Sequence, residues 1–171
     1  MEKVLIAVDD TKGSKNVLDV FSNLVKPPKE VLILHVQKLE GKSLMIDMLS
    51  DHELATLKES LEGTEYKEKL DRHTEKILNY YRKEFESTGL VSVRTLKREG
   101  IPSDEILKVA EEESVDLIVV GGNGKKGLNR LITGCVSKYV ERNASVPVIV
   151  EKPEPKEVVR GIKGTVAPQF S

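Results

Sequence analysis

The apolar run Leu117-Ile118-Val119-Val120 stops at Gly121-Gly122-Asn123-Gly124. A helix-compatible stretch follows, carrying one glycine at Gly134, and a second apolar run from Val146 to Val150 closes the unit. Runs this short, continuous and β-branched suit strands covered on both faces, which is the condition of a parallel sheet. A glycine-rich turn at the end of such a strand lets the backbone approach an anion, and the first amides of a following helix point at it. The segment therefore reads as strand, turn, helix, strand, with a phosphate-binding candidate in the turn.

The rest of the chain repeats this logic. Val4 to Val8 and Val31 to Val36 are two more buried strands. Between them Val17, Leu18, Phe21, Leu24 and Val25 recur at helical spacing, and Pro27-Pro28 ends that helix. Leu44, Met45, Met48 and Leu49 suit a short helix, and Leu54, Leu57 and Leu61 continue an apolar stripe. Tyr66, Leu70, Ile77, Tyr81 and Phe85 mark a longer helix ending near Gly89. Val91, Val93, Thr95 and Leu96 predict a third strand. After Gly100-Ile101-Pro102 a helix is expected with Ser103 as its N-cap and Asp104 and Glu105 in its first turn. Strands alternating with helices predict a five-stranded parallel sheet with helices on both faces. Pro153, Pro155 and Pro168 mark residues 154–171 as a tail, expected to be mobile.

Bulk composition narrows the function classes. With 171 residues one domain is expected, large enough for a hydrophobic core. Lys+Arg 27 against Asp+Glu 28 leaves a net charge of -1, which offers no basic bias toward nucleic acid. Cys135 is the single cysteine, so neither an internal disulfide framework nor a cysteine zinc site is available. No stretch approaches the ~20 apolar residues of a membrane span, and no signal peptide is evident. A cytoplasmic protein with no membrane partner is expected.

The glycines admit three readings. Gly122, Gly124 and Gly127 fit the dinucleotide fingerprint G-x-G-x-x-G, and Glu151 ends the next strand where a ribose-binding acid would sit. That reading predicts an NAD-binding enzyme, but a dinucleotide site needs further strands after it, and here a Pro-rich tail follows. A P-loop has the Gly122 to Gly127 separation, yet Leu128-Asn129 replaces the required Lys-Ser/Thr. The third reading takes Gly121, Gly124 and, after nine intervening residues, Gly134, followed by Cys135-Val136-Ser137.

This G-x2-G-x9-G spacing resembles the ATP-binding motif of the universal stress protein family. The resemblance extends to the opening VLIAVDDTKGS, the strand ending LHV, the segment GIPSDEILKVAEEESVDLIVVGG and the ending SVPVIVEKP. It covers residues 1–153, with a variable insertion at about 38–90, and leaves 154–171 outside. It implies a single Rossmann-like domain, a homodimer often formed through the last strand, and ATP held with Mg at the carboxyl ends of the strands. By the same resemblance Asp9 lies beside the nucleotide with the backbone of Ala7 and Val8 near it, and Val36 meets the adenine through its backbone. Gly121, Gly122 and Gly124 admit ribose and phosphates, and Gly134, Cys135, Val136 and Ser137 face the phosphates.

Local physics bears on the same positions. Gly134 within a helix costs ~1 kcal/mol relative to alanine. Either the helix restarts there, presenting the amides of Cys135 to Ser137 to an anion, or a bent helix packs closely at Gly134. Lys125, Lys126, Arg130 and Lys138 would raise the potential near a triphosphate, or simply form a solvated face. The family usually has Ser or Thr where Cys135 stands, and a thiol is a weak donor. Its loss as a phosphate contact is worth roughly 1 kcal/mol; a thiol beside lysines at a helix start would also be oxidisable. Asp9 could hold Mg through water, with no direct protein ligands, while Asp10 suits a turn or cap equally.

Other residues carry less. His35 sits within an apolar run and is expected in the core or at a strand end; His52 lacks the second histidine of a zinc-protease helix; His73 is expected to be exposed. There is no G-x-S-x-G elbow, and the loop after the first strand lacks the Ser-Gly-Gly of ATP pyrophosphatases. With no catalytic residue evident, at most a slow ATPase or autophosphorylating protein is expected. The leading expectation is an ATP-dependent binding switch acting on a protein partner not identified by the sequence. The alternative is a dimeric scaffold with a vestigial pocket.

Overall fold

The computed structural model describes residues 1–9, 21, 26–37, 50–89, 92–121 and 129–150, and, within the last stretch, side chains from Val136 onward. The first strand, β1 (Lys3–Ala7), is followed by β2 (Glu30–Gln37) and then by two helices, α1 (Asp51–Leu61) and α2 (Glu65–Ser87). Strand β3 (Val93–Glu99) leads to α3 (Pro102–Glu112), β4 (Leu117–Val120) to α4 (Asn129–Asn143), and β5 (Val148–Val150) closes the order. All pairings are parallel, and the sheet runs β3-β2-β1-β4-β5. The expected α/β architecture is therefore the observed one.

The continuous apolar runs are explained by burial on both faces. Val4, Ile6, Val31, Ile33, Leu117 and Val119 face Ile77, Leu78, Tyr81 and Phe85 of α2, with Phe21 beside them. Phe21 and Phe85 meet edge to face with centroids 5.4 Å apart. Leu5, Leu32, Leu34, Ile118 and Val120 turn the other way, against Ile106, Val109 and Ala110 of α3 and Val140 of α4. Two layers of helix thus leave the ends of the strands, rather than their faces, as the places a ligand can reach.

Helix boundaries follow local chemistry, with three departures from the sequence expectations. Ser50 and Glu53 close a capping box on α1, and the Thr64 hydroxyl accepts the Lys67 amide at the start of α2. Ser103 is not an N-cap: Ile101 takes that place and α3 begins two residues earlier than expected, with Pro102 at its first position, where a missing N–H costs nothing. The buried stripe of α2 is Lys67, Thr74, Ile77, Leu78, Tyr81 and Phe85, so Tyr66 is on the outer side. Most consequentially, α4 runs unbroken through Gly134. The helix does not restart at Cys135, and amides that deep in a helix are consumed by its own ladder.

Helix α3 ends in a paired motif. Ser114 takes φ 50°, its amide donates to Glu111 and that of Val115 to Ala110. This is a Schellman ending with serine where glycine is usual. Val115 then drops into the core beside Ala110. At the amino end of the sheet the Asp116 carboxylate accepts the amides of Glu2 (2.8 Å) and Lys3 (2.9 Å). Lys3, Glu30, Arg94 and Glu113 form a linked set of ion pairs next to it. That end is closed by charge pairing.

No described helix is long and apolar enough to cross a membrane. The short helix expected around Leu44 to Leu49, the tail 154–171 and most of the helix expected at 17–25 lie outside the described residues.

Candidate functional site

The carboxyl end of the sheet is where the strand order places a crevice. Moving outward from β1, the chain's connections run one way to β2 and the other way to β4. Helices that follow adjacent strands therefore cover opposite faces, and a gap opens between the strand ends. Ala7 pairs with Val120, so Val8 and Asp9 on one side and Gly121 on the other border that gap.

Each bordering residue has a defined backbone environment. The Val8 amide donates to the Leu34 carbonyl at 2.9 Å, and His35 donates from Nδ1 to the Val8 carbonyl, also at 2.9 Å. His35 is buried at a strand end, as expected, and this contact selects its Nδ1-protonated tautomer. Asp9 and Gly121 are half-buried.

Val36 lies one step further out. Leu34 carries the last rung between β1 and β2, directed to the β1 side, whereas the Gln37 carbonyl accepts the Gly100 amide from the β3 side. Backbone groups alternate sides along a strand. The N–H and C=O of Val36 therefore point to the β1 side, beyond the last rung. A donor and an acceptor on one edge match the ring nitrogen and exocyclic amine of an adenine. The Val36 side chain packs onto the opposite layer, with Leu34 and Leu96.

Ala7, Val8, Asp9, Val36 and Gly121 are thus brought to one end of the sheet. Gly134, Cys135, Val136 and Ser137 belong to the middle of α4, with Val136 packed on the core and Ser137 half-buried. Gly122, Gly124, Lys125, Lys126 and Gly127 lie outside the described residues, as does Glu151. Lys138 is exposed. Among the described residues no group of three His, Cys, Asp or Glu side chains could hold a metal. Asp9, half-buried at the crevice, is a hard oxygen donor of the kind that suits magnesium.

A second polar assembly at the same end escaped the sequence reading. Lys67, only 3% exposed, donates to Asp71 (2.8 Å), to the Gln37 side chain (3.0 Å) and to Glu99. Gln37 donates to Asp71 and to Thr74, both at 2.8 Å, and Lys97 also reaches Asp71 at 2.9 Å. Burial opposes charge on Asp71, but bonds from Lys67, Gln37 and Lys97 outweigh it and hold its carboxyl far below the usual range. Burial likewise opposes charge on Lys67, and Asp71 and Glu99 outweigh it, raising that ammonium's pKa. The available signal was a lysine in helical register with Thr74, Leu78, Tyr81 and Phe85.

A five-stranded parallel sheet in this order, with its crevice at the β1/β4 divide, defines a Rossmann-like α/β protein. The chain matches the model of the "Universal stress protein family" across residues 1–152, and it belongs to that family. It is 33% identical to universal stress protein MJ0577 of Methanocaldococcus jannaschii, over 72% of this chain and 77% of that one. It is 31% identical to universal stress protein YxiE of Bacillus subtilis, over 86% of this chain and 97% of that one. The solved structure of MJ0577 superposes with a TM-score of 0.66 at 27% identity, covering 90% of this chain and 97% of the other. An Arabidopsis thaliana family protein with AMP bound has a TM-score of 0.58 at 20% identity, covering 92% and 97%. A universal stress protein in complex with cAMP has 0.53 at 16%, covering 88% and 96%. Those two likenesses speak to the fold.

Proposed function

We propose that this chain binds ATP, with magnesium, in the crevice at the carboxyl ends of β1 and β4, and acts as a nucleotide-dependent binding switch. The observation that carries this is the joint placement of Ala7 to Asp9, Gly121 and the outward-directed backbone edge of Val36 around one gap. The adenine would pair with Val36, and the ribose and phosphates would run past Gly121 toward Gly122 and Gly124. Relatives of the same fold that hold AMP and cAMP support an adenine nucleotide as the ligand class. Hydrolysis is slow or absent, and the protein works in the cytoplasm. Occupancy biases a surface toward a protein partner. A homodimer through β5 is part of the proposal: among the described residues this edge strand pairs only with β4, and its valines and Ile149 are half-buried.

The test starts from protein purified without added nucleotide. Denaturation should release a stoichiometric adenine nucleotide, or the stripped protein should bind ATP more tightly with Mg²⁺ than without. Gly124→Leu should abolish binding and leave the circular dichroism spectrum unchanged; retained binding in that variant would sink the phosphate-loop assignment. Light scattering should give twice the 19.1 kDa chain mass.

One observation favours a second reading, a dimeric scaffold with a vestigial pocket. Helix α4 passes through Gly134 without restarting, and Cys135 stands where the family usually has a hydroxyl. On that reading the natural chain rejects ATP and Cys135→Ser gains binding.

A further inference from the structure

We infer that Gln37, held by the Lys67 cluster, is a positioning residue for base recognition at Val36; this rests on the adenine-nucleotide reading above. The sheet supports β2 unevenly at its carboxyl end. On the β1 side the ladder stops at Leu34, so nothing in it fixes where Val36 points. On the β3 side pairing continues through Gln37 with Glu99, and the Gly100 amide bonds the Gln37 carbonyl at 3.2 Å.

The remaining support comes from α2, through the Gln37 side chain. Both amide hydrogens are used, one on Asp71 and one on Thr74, and the amide oxygen takes the Lys67 ammonium. Flipping the amide would turn its NH2 against that ammonium, so one orientation is selected. Gln37 is 1% exposed and Thr74 is fully buried, so water does not compete for the bond between them, while Asp71 keeps part of its surface in solvent. A strand end paired on the β3 side alone is thereby also tied to α2, immediately after the residue whose N–H and C=O would read the base. Hydrogen-bond discrimination depends on aim, and a misaimed pair loses most of its strength. Gln37 itself touches no ligand in this arrangement; it acts through Val36.

The experiment compares ATP with purine riboside triphosphate, which lacks the 6-amino group, by calorimetry on the full chain. The natural protein should prefer ATP by about tenfold, the worth of one well-directed hydrogen bond. In Gln37→Met that preference should fall toward one. Thr74→Val, which removes a single acceptor and keeps the volume, should reduce it partway, and decides the matter if Gln37→Met does not fold. A purely structural role would weaken both ligands by the same factor and leave their ratio intact, which would overturn the inference. So would an unchanged ratio, or no preference in the natural protein. If the natural protein binds neither triphosphate, the nucleotide reading fails and this inference goes with it.

Discussion

At the scale of single residues, two positions outside the crevice carry measurable consequences. Ser114 holds a left-handed conformation at the end of α3 that L side chains adopt at a cost. Ser114→Gly should stabilise the fold by about 0.5–1 kcal/mol, read as a higher urea midpoint at unchanged slope. Asp116 has its pKa pulled below the ordinary aspartate value by the amides of Lys3 and Glu2. A carboxylate with a depressed folded pKa stabilises above its unfolded value and loses that contribution as pH falls through the folded one. The natural chain should therefore be more stable than Asp116→Asn at neutral pH. The gap should narrow as the pH drops below about 4, the ordinary aspartate range; a gap independent of pH would refute the assignment.

At the scale of elements, the polar anchor of α2 is the feature with the largest expected effect. Lys67→Met leaves Asp71 and Glu99 facing a core without their buried cation. The expected cost is about 3 kcal/mol, the low end for breaking a buried pair because both carboxylates keep some solvent. Chemical denaturation measures it, and a change under 1 kcal/mol would mean that Lys97 alone suffices. This anchor also shows where reading a sequence stops. Val4 to Val8, Val31 to Val36 and Leu117 to Val120 were legible as strands because burial on both faces demands unbroken apolar runs. The strand ends that border the crevice were legible with them, since Asp9 and Gly121 follow directly. Lys67 was not, because its partners, the Gln37 amide oxygen on β2 and the carboxylates of Glu99 on β3 and Asp71 one turn along α2, come from three elements, and periodicity assigns an isolated lysine to solvent. Local propensity could not decide between a restart and a continuous helix at Gly134, for a related reason. Glycine's helix cost is small enough that packing of Val136 and Val140 on the core overrides it.

For the whole molecule, the two ends of the sheet differ in kind. The amino end is cross-tied by Asp116 and the Lys3, Glu30, Arg94 and Glu113 pairs, whereas the carboxyl end gathers Asp9, Val36 and Gly121 around a gap. On the proposed function a ligand in that gap would bridge both halves of the sheet, so binding should register as global stability. At a hundredfold excess of ATP over its dissociation constant the gain is about 2.7 kcal/mol. For a chain of this size that is a rise in melting temperature of roughly 5–10 °C, and differential scanning fluorimetry should detect it with ATP and Mg²⁺.

The central position of β1 has a further consequence, for the chain as it is being made. Glu2 meets its partner Asp116 only 114 residues later, and the flank of β1 opposite β2 waits for β4. At ~5–20 residues per second on the ribosome, that wait lasts roughly 5–20 s. Throughout it Val4, Leu5 and Ile6 form a sticky edge on an unfinished chain. The spatial order of five strands thus opens a window during synthesis in which the middle of the sheet has one flank still to be covered.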